Sequence, residues 1–196
     1  MFHPNLAEPT TALLKSQTAE AHAWLESLLL PHLQAVRTAS DYGTILKLFY
    51  GYFAPLEKEL ASHIASIDLP DFSQRRKAHF IISDLESIGE TVTDLPVAND
   101  LPVIRTKAEA FGGMYVMEGS TLGGRGIMRM LMKSLPQLST ASFGFFNGYG
   151  ESTGPMWIAF QQALNAIATD EAAQGQVVST ANETFLKFGK WIQQTT

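Results

Sequence analysis

Long stretches of helical periodicity dominate this sequence. Apolar residues recur at intervals of three and four in six blocks, and that spacing places them on one face of an α-helix. No stretch of useful length alternates apolar and polar residues, as a half-buried strand does. A repeat of fixed period is also absent from the sequence. The sequence therefore predicts an all-α fold, a single-domain bundle of six to seven helices over residues 1–196.

Prolines, glycines and polar stretches set the expected helix boundaries. The predicted helices cover about residues 10–30, 40–67, 73–88, 103–134, 155–168 and 171–193. Thr10 is expected to be the first N-cap, and Pro31 is expected to end that helix. Pro55 should kink or split the second helix, because proline removes a backbone donor. Gly89 has the position of a C′ residue, and residues 1–9 are expected to form a flexible tail.

The composition excludes several classes of protein. The chain has 196 residues, of which 45% are hydrophobic, so a sizeable core can form. It has no cysteine, which excludes disulfides, thiolate metal sites and thiol catalysis. A net charge of −5 disfavours nucleic-acid binding. We find no apolar run long enough for a membrane span and no signal-peptide pattern at the start, so a cytoplasmic protein is expected.

A glycine-rich helical segment is the most informative local feature. The stretch Ala110–Met132 lacks proline and holds six glycines, at positions 112, 113, 119, 123, 124 and 126. Each glycine inside a helix costs about 1 kcal/mol relative to alanine, so another interaction must offset this. The offsets of 7, 4 and 3 between positions 112, 119, 123 and 126 leave one helix face without Cβ atoms.

Two interpretations of this bare face remain open from spacing alone. A flat ligand can approach the backbone closely where side chains are missing. Alternatively, a neighbouring helix can pack there, as small residues allow in any bundle. Met114, Tyr115 and Met117 lie beside the glycines. Methionine suits the wall of an aromatic ligand's pocket and also suits ordinary core filling, so it does not decide between the two.

The first helix carries a histidine in a polar stripe. Four side chains fall along one side of it at offsets of 3, 4 and 4: Lys15, Thr18, His22 and Glu26. A carboxylate one turn after a histidine is typical of a metal-bound imidazole, and a cation two turns earlier suits an anionic group on the same ligand. The residues alone favour the alternative, an ordinary surface or capped histidine. No Glu-x-x-His, Walker loop or His-Glu-x-x-His motif occurs.

Taken together, two motifs resemble the heme oxygenase family. LKSQTAEAHAWLE is similar to the proximal helix of that family, and YVMEGSTLGGRG is similar to its distal helix. Two further stretches, RRKAHFIISDLESIG and FFNGYGESTGPMWIAFQQAL, resemble the bacterial, phytochrome-associated branch, which produces biliverdin. The resemblance covers almost the whole chain and implies a heme-oxygenase-like helical bundle.

The resemblance implies a set of heme-binding residues. His22 would ligate the iron, and Glu26 would hold the other nitrogen of the ring, directly or through water. Lys15 and Tyr115 match residues that contact the heme propionates in the family. The full set expected to bind heme is His22, Lys15, Thr18, Glu26, Tyr115, Met117, Gly119, Gly123 and Gly124.

The catalytic residues implied by the resemblance lie on the distal helix. They are Gly119, Ser120 and Gly123, with the two glycines in close contact with heme. Animal-type members have an aspartate that organises distal water where this sequence has Ser120. Bacterial relatives often have Glu-Gly-Ser there as well. Water held by Ser120, by backbone groups or by an arginine would then take over that role.

The implied activity is oxygen-dependent cleavage of heme to biliverdin, carbon monoxide and ferrous iron. Heme is then both substrate and cofactor, and a ferredoxin or reductase supplies electrons. A bacteriophytochrome is a possible acceptor of biliverdin on this resemblance. Two alternatives remain: a non-catalytic heme carrier on the same fold, and a different enzyme that binds a small organic substrate.

Docking of an acidic ferredoxin would need a local basic patch. Two candidates are the run Arg75, Arg76 and Lys77 and the pair Arg125 and Arg129. For the run at 75–77 an ordinary solvated face is the favoured interpretation.

Overall fold

The structure is a computed structural model that describes residues 9–75 and 78–195. In these ranges the chain is helical and contains no strand, which confirms the predicted all-α class. The helices are α1 (Thr10–Gln17), α2 (Ala19–Ala35), α3 (Ala39–Ala61), α4 (His79–Ser87), α5 (Lys107–Ser134), α6 (Gly144–Asn147), α7 (Thr153–Ile167) and α8 (Glu171–Thr195). Short 3-10 segments lie at Phe72–Gln74, Thr140–Phe143 and Gly150–Ser152. Because α6 is a single turn, seven longer helices form the described bundle. The tail expected at residues 1–9 falls outside the described residues, except for Pro9.

The first predicted helix differs from the observed one at both ends and at Thr18. Pro9, not Thr10, is the N-cap of α1, and the Thr10 hydroxyl donates to the carbonyl of Ala168, 3.2 Å away. Thr18 has φ −105° and ψ 0° and separates α1 from α2. Pro31 does not end the helix, and α2 continues to Ala35. Burial of Leu33 on the core beyond the proline offsets the lost backbone hydrogen bond.

The second predicted helix likewise passes through its proline. α3 continues through Pro55 and ends at Ala61, so the expected split at this proline is wrong and the helix is shorter than predicted. Phe53, Leu56 and Leu60 are buried on both sides of the proline and hold the helix on the core. A capping box between Thr38 and Asp41 fixes its start.

Two further boundaries show how caps override periodicity. α4 starts only at His79, after the 3-10 segment, and Gly89 follows it with φ 78°, the left-handed conformation predicted for a C′ residue. α5 starts at Lys107 because Thr106 and Glu109 form a capping box. Its 28 residues end at Ser134, as predicted.

Two of the six glycines of α5 allow close backbone packing against α8 and α6. A Cβ at Gly112 would overlap with the carbonyl oxygen of Val177 and lie 3.0 Å from Cβ of Thr180, so α5 rests directly on α8. A Cβ at Gly124 would overlap with the carbonyl oxygen of Phe146 at α6. For these two positions, the helix-packing interpretation is correct.

The helix that carries His22 is also held against α8. The ring of Trp24 lies so close to Gly189 that any Cβ at that glycine would overlap with it. Trp24 is two positions after His22 on α2. The contact therefore fixes the α2 backbone next to the histidine.

Replacing Gly112 by alanine is expected to lower the free energy of unfolding by about 1–3 kcal/mol, because the methyl group overpacks the α5–α8 contact. Gly175→Ala on α8 is the matched control. Nothing lies within 4 Å of a Cβ at Gly175, so helix propensity predicts a gain of up to about 1 kcal/mol. Urea unfolding of the two variants measures both values. A Gly112→Ala protein as stable as Gly175→Ala would contradict the described packing.

Candidate functional site

A cavity of about 660 Å³ separates α1 and α2 from α5. Its size lies within the range of small-molecule and cofactor sites. One wall consists of residues of α1 and α2, and the opposite wall consists of residues of α5. Aromatic side chains of α3, α6 and α8 close the interior: Phe49, Phe53, Phe145, Phe146, Phe185 and Phe188. The cavity therefore combines an apolar interior with two helical walls.

His22 lies on the α2 wall and lines the cavity. Its side chain is 52% exposed, so the imidazole is accessible to a ligand there. The ring meets Phe185 edge to face, with the centroids 5.3 Å apart. Its Nε2 lies 3.7 Å from a carboxylate oxygen of Glu26, which is an ion-pair distance and longer than a hydrogen bond. Glu26 is thus beside the imidazole, as the sequence predicts, but does not hydrogen-bond to it in this structure.

The opposite wall is bare backbone at Gly119 and Gly123. A Cβ at Gly123 would meet nothing within 4 Å, and one at Gly119 would lie 3.8 Å from the Trp157 ring. Both glycines line the cavity. The predicted glycine stripe is therefore divided: Gly112 packs against α8, and only the central part faces the cavity.

A polar group of residues lies at one side of the cavity. Lys15, Thr18 and Tyr115 all line it, together with Gln161. Burial raises the pKa of the Tyr115 hydroxyl, and its hydrogen bond with Thr18 acts in the opposite direction. Among the described residues, Lys15 belongs to none of the ion pairs. Its ammonium group is available to an anionic part of a ligand.

Three other predicted residues have different surroundings. Ser120 lines the cavity, and its hydroxyl donates to the carbonyl of Met117 at 2.7 Å. Met117 itself is buried in the core and is not part of the lining. Gly124 faces the backbone of Phe146 and is also outside the lining.

Sequence reasoning missed the aromatic part of the site. The cavity lining includes Trp157, Phe145 and Phe146, to which the sequence patterns assign no role. The run FFNGYG and the residues after Pro155 contribute only to the family resemblance. Their dense aromatic content was the available signal, but aromatic residues are as common in plain cores.

The expectation that the basic run at 75–77 forms a solvated face is wrong for Arg75. The Arg75 side chain is fully buried and donates to both carboxylate oxygens of Asp71, at 2.8 and 2.9 Å. It also pairs with Glu118 of α5. Arg76 and Lys77 lie outside the described residues. The partners of Arg75 include one 43 positions away, and neighbouring sequence does not reveal such a pairing. Of the other candidate pair, Arg125 forms an ion pair with Glu151 at 2.8 Å, and Arg129 is exposed.

Asp84 holds the turn that brings aromatic side chains to the cavity. Its carboxylate accepts hydrogen bonds from the backbone N–H groups of Gly144 and Phe145, both at 2.9 Å. Burial raises the pKa of Asp84 to about 6, although these hydrogen bonds act to lower it. Because the native state binds this proton more tightly than the unfolded chain does, Asp84 makes stability fall as the pH rises through that range.

Asp84→Asn should remove this pH dependence. Between about pH 4 and pH 6 the wild-type protein is expected to lose up to about 3 kcal/mol of stability through this group, from 1.36 kcal/mol per pKa unit. Urea unfolding at a series of pH values measures the slope for both proteins. The difference between the two curves isolates Asp84 from the other carboxylates. Parallel curves would show that Asp84 does not titrate there.

The donor set of the site defines a class of ligand. No group of three or more His, Asp or Glu side chains within residues 9–75 and 78–195 is arranged to hold a bare metal ion. One accessible imidazole, a facing bare backbone and an aromatic interior instead fit a flat, apolar ligand that brings its own metal. Lys15 and Tyr115 fit acidic groups on its edge. The fold and the site thus define a helical protein that fits a flat, largely apolar ligand with an acidic edge.

The comparisons with known proteins agree. Residues 8–194 match the family model for heme oxygenase. A heme oxygenase of Xanthomonas campestris pv. campestris (strain 8004) is 30% identical over 150 residues, which cover 76% of this chain and 87% of the relative. The chain belongs to the heme oxygenase family and is an enzyme of heme degradation.

Solved structures share the fold. The heme oxygenase of Neisseria meningitidis, determined with NO and CO bound, has a TM-score of 0.76 and 21% identity, and the match covers 96% of this chain and 92% of that one. The heme oxygenase of Leptospira interrogans has a TM-score of 0.77 and 14% identity over 95% and 100% of the two chains. Heme oxygenase-1 from the cyanobacterium Synechocystis, solved in complex with heme, has a TM-score of 0.67 and 16% identity over 95% of this chain and 92% of that one.

None of the helices in the described ranges combines the length and the hydropathy that a membrane span requires.

Filling the bare wall should block ligand binding without harming the fold. Gly123→Leu places a side chain in open cavity space, so we expect hemin affinity to fall at least about tenfold while the melting temperature stays the same or rises. Gly126→Leu is the matched control, because Gly126 is also open but outside the lining. Hemin titration and thermal melts of both variants test this. Equal loss of affinity in both would refute the assignment of the wall.

Proposed function

We propose that this protein cleaves heme with oxygen to biliverdin, carbon monoxide and ferrous iron, and that heme lies between His22 and the α5 backbone at Gly119 and Gly123. One observation carries the proposal. The accessible imidazole of His22 and two positions of α5 without a Cβ atom, Gly119 and Gly123, line the same cavity of about 660 Å³. When bound, heme supplies both the ring to be opened and the iron at which oxygen is activated.

The α2 wall holds the iron side. His22 would hold the heme iron through its imidazole, as histidine does in many heme proteins. Glu26 lies at ion-pair distance from Nε2 of the imidazole and would orient the ring, directly or through water. Phe185 packs against the edge of the imidazole and limits its rotation.

The polar side of the cavity holds the acidic groups of heme. Lys15 would donate to one propionate, and Tyr115 would donate its hydroxyl hydrogen to an acidic group of heme. Burial raises the pKa of the Tyr115 hydroxyl. Thr18 packs beside Tyr115 and orients it. A charge-assisted hydrogen bond of this kind contributes about 1.5–3 kcal/mol, enough to favour one rotation of heme in its plane. That rotation determines which carbon bridge of the ring is attacked.

The α5 wall restricts space on the oxygen side. Gly119 and Gly123 have no Cβ atoms, so the backbone would lie close to the heme and would leave little room on that side of it. Ser120 lies on this wall, and we propose that its hydroxyl and nearby backbone groups hold the water that donates protons there. The aromatic interior excludes other water. Gly124 and Met117 support this wall from behind rather than contact heme.

The electron donor and the product acceptor are also proposals. A ferredoxin or reductase must supply electrons, and Arg125 and Arg129 are the remaining described candidates for its docking. Pairing with Glu151 reduces the free charge of Arg125. A bacteriophytochrome remains the proposed acceptor of biliverdin, on family resemblance alone.

Hemin titration of the ligand-free protein, followed by ascorbate in air, tests the proposal. Wild-type protein should develop a Soret band and then the absorbance of biliverdin. His22→Ala is expected to lower hemin affinity at least about tenfold and to abolish the product, because the axial ligand is lost. His32→Ala is the matched control, since His32 is on the same helix but outside the cavity lining.

Each alternative predicts a different result in the same experiment. A heme carrier would bind hemin through His22 and become reduced, but no bilin would form. An enzyme for another substrate would show no hemin affinity, or affinity that His22→Ala leaves unchanged. Either outcome would overturn the proposed reaction.

A further inference from the structure

A buried charged cluster lies directly behind the bare wall of the cavity. The side chains of Arg75 and Glu118 are 0% and 3% exposed and form an ion pair at 2.5 Å. The hydroxyl of Tyr149 donates to the carboxylate of Glu118, at 2.9 and 3.1 Å from its two oxygens. Removing two charges from water is so unfavourable that buried pairs are often no more stabilising than apolar side chains. A contribution to stability alone is therefore a weak explanation for the cluster.

The cluster joins four segments at one point of α5. Arg75 follows the 3-10 segment before α4, and it also donates to the carbonyl of Met156 on α7 at 3.2 Å. Tyr149 lies in the connection between α6 and α7. Arg75 and Tyr149 both contact Glu118, the residue immediately before Gly119, and Arg75 links it to Met156 of α7.

The bare wall needs an external support of this kind. Gly119 and Gly123 have no side chains that could anchor the backbone, and glycine lowers the helical preference of the segment. On the cavity side, a Cβ at Gly123 would have no neighbour within 4 Å. The adjacent Glu118 faces away from the cavity into the protein, so its partners determine where this backbone lies.

We infer that Arg75, Glu118 and Tyr149 are positioning residues that hold the α5 backbone at Gly119–Gly123 at its working distance from the His22 wall. None of the three lines the cavity, so they act on the ligand through the glycine backbone. The inference rests on the proposed function, because the working distance is the one that heme cleavage requires.

The test uses Tyr149→Phe, which removes one hydrogen bond to Glu118 and keeps the ring. Tyr52→Phe is the matched control: Tyr52 is buried, donates to the carbonyl of Thr184 at 2.9 Å and does not contact Glu118. Hydrogen exchange of the ligand-free protein is the first measurement. In Tyr149→Phe, amides 119–124 should exchange at least about tenfold faster relative to the amides of α2, and in Tyr52→Phe this ratio should not change.

The second measurement separates positioning from binding. With hemin bound, Tyr149→Phe should open the ring at least about fivefold more slowly in a single turnover, while its hemin affinity changes less than about threefold. Glu118→Gln keeps the size and an acceptor for Tyr149 but removes the charge, and it should slow ring opening further. If Glu118→Gln does not fold, Tyr149→Phe alone decides.

Three results would overturn the inference. They are equal acceleration of exchange in α5 and α2, the same change of the exchange ratio in Tyr52→Phe, and an unchanged rate of ring opening in Tyr149→Phe. Failure of the wild-type protein to form biliverdin is a different result. It refutes the proposed reaction, and the exchange measurement still reports whether the cluster holds the backbone.

Discussion

The absence of Cβ atoms along α5 is the constraint on which the rest of the structure depends. At Gly112 and Gly124 the missing side chain lets backbone meet backbone, so α5 is fixed on α8 and beside α6. At Gly119 and Gly123 the same absence leaves open space instead. One helix therefore packs tightly against α8 and α6 at two of its glycines and forms part of a cavity wall at two others.

The buried ions fit this division of roles. A helix segment without side chains cannot be held from the cavity side, so its anchor has to lie behind it. Arg75 and Glu118 supply a directional contact there, whereas apolar side chains would allow sliding. Asp84 performs a comparable task for the turn that presents Phe145 and Phe146. In both places, a buried carboxylate orients backbone that forms the cavity.

Local patterns in the sequence were sufficient for much of the fold. Helix type followed from the spacing of apolar residues, and Gly89 was recognisable because a left-handed residue commonly ends a helix. The errors at Pro31 and Pro55 have a common cause: burial of leucines beyond each proline outweighs the local penalty. The residues of the site also divide into those that local spacing predicts and those that it does not. Lys15 on α1 and His22 and Glu26 on α2 lie within twelve residues of one another, so local spacing brought them together. Arg75 and the phenylalanines depend on contacts between distant segments.

Both walls of the cavity rest on α8. α5 meets α8 at Val177 and Thr180 through Gly112, and α2 meets α8 at Gly189 through Trp24. The two docking points are nine to twelve residues apart, about 14–18 Å along the α8 axis at 1.5 Å per residue. Phe185 and Phe188 project into the cavity from the interval between them. The spacing of the walls is therefore encoded in a length of uninterrupted helix, and inserting or deleting one residue in that interval would turn one docking point by about 100° relative to the other and misalign both walls at once.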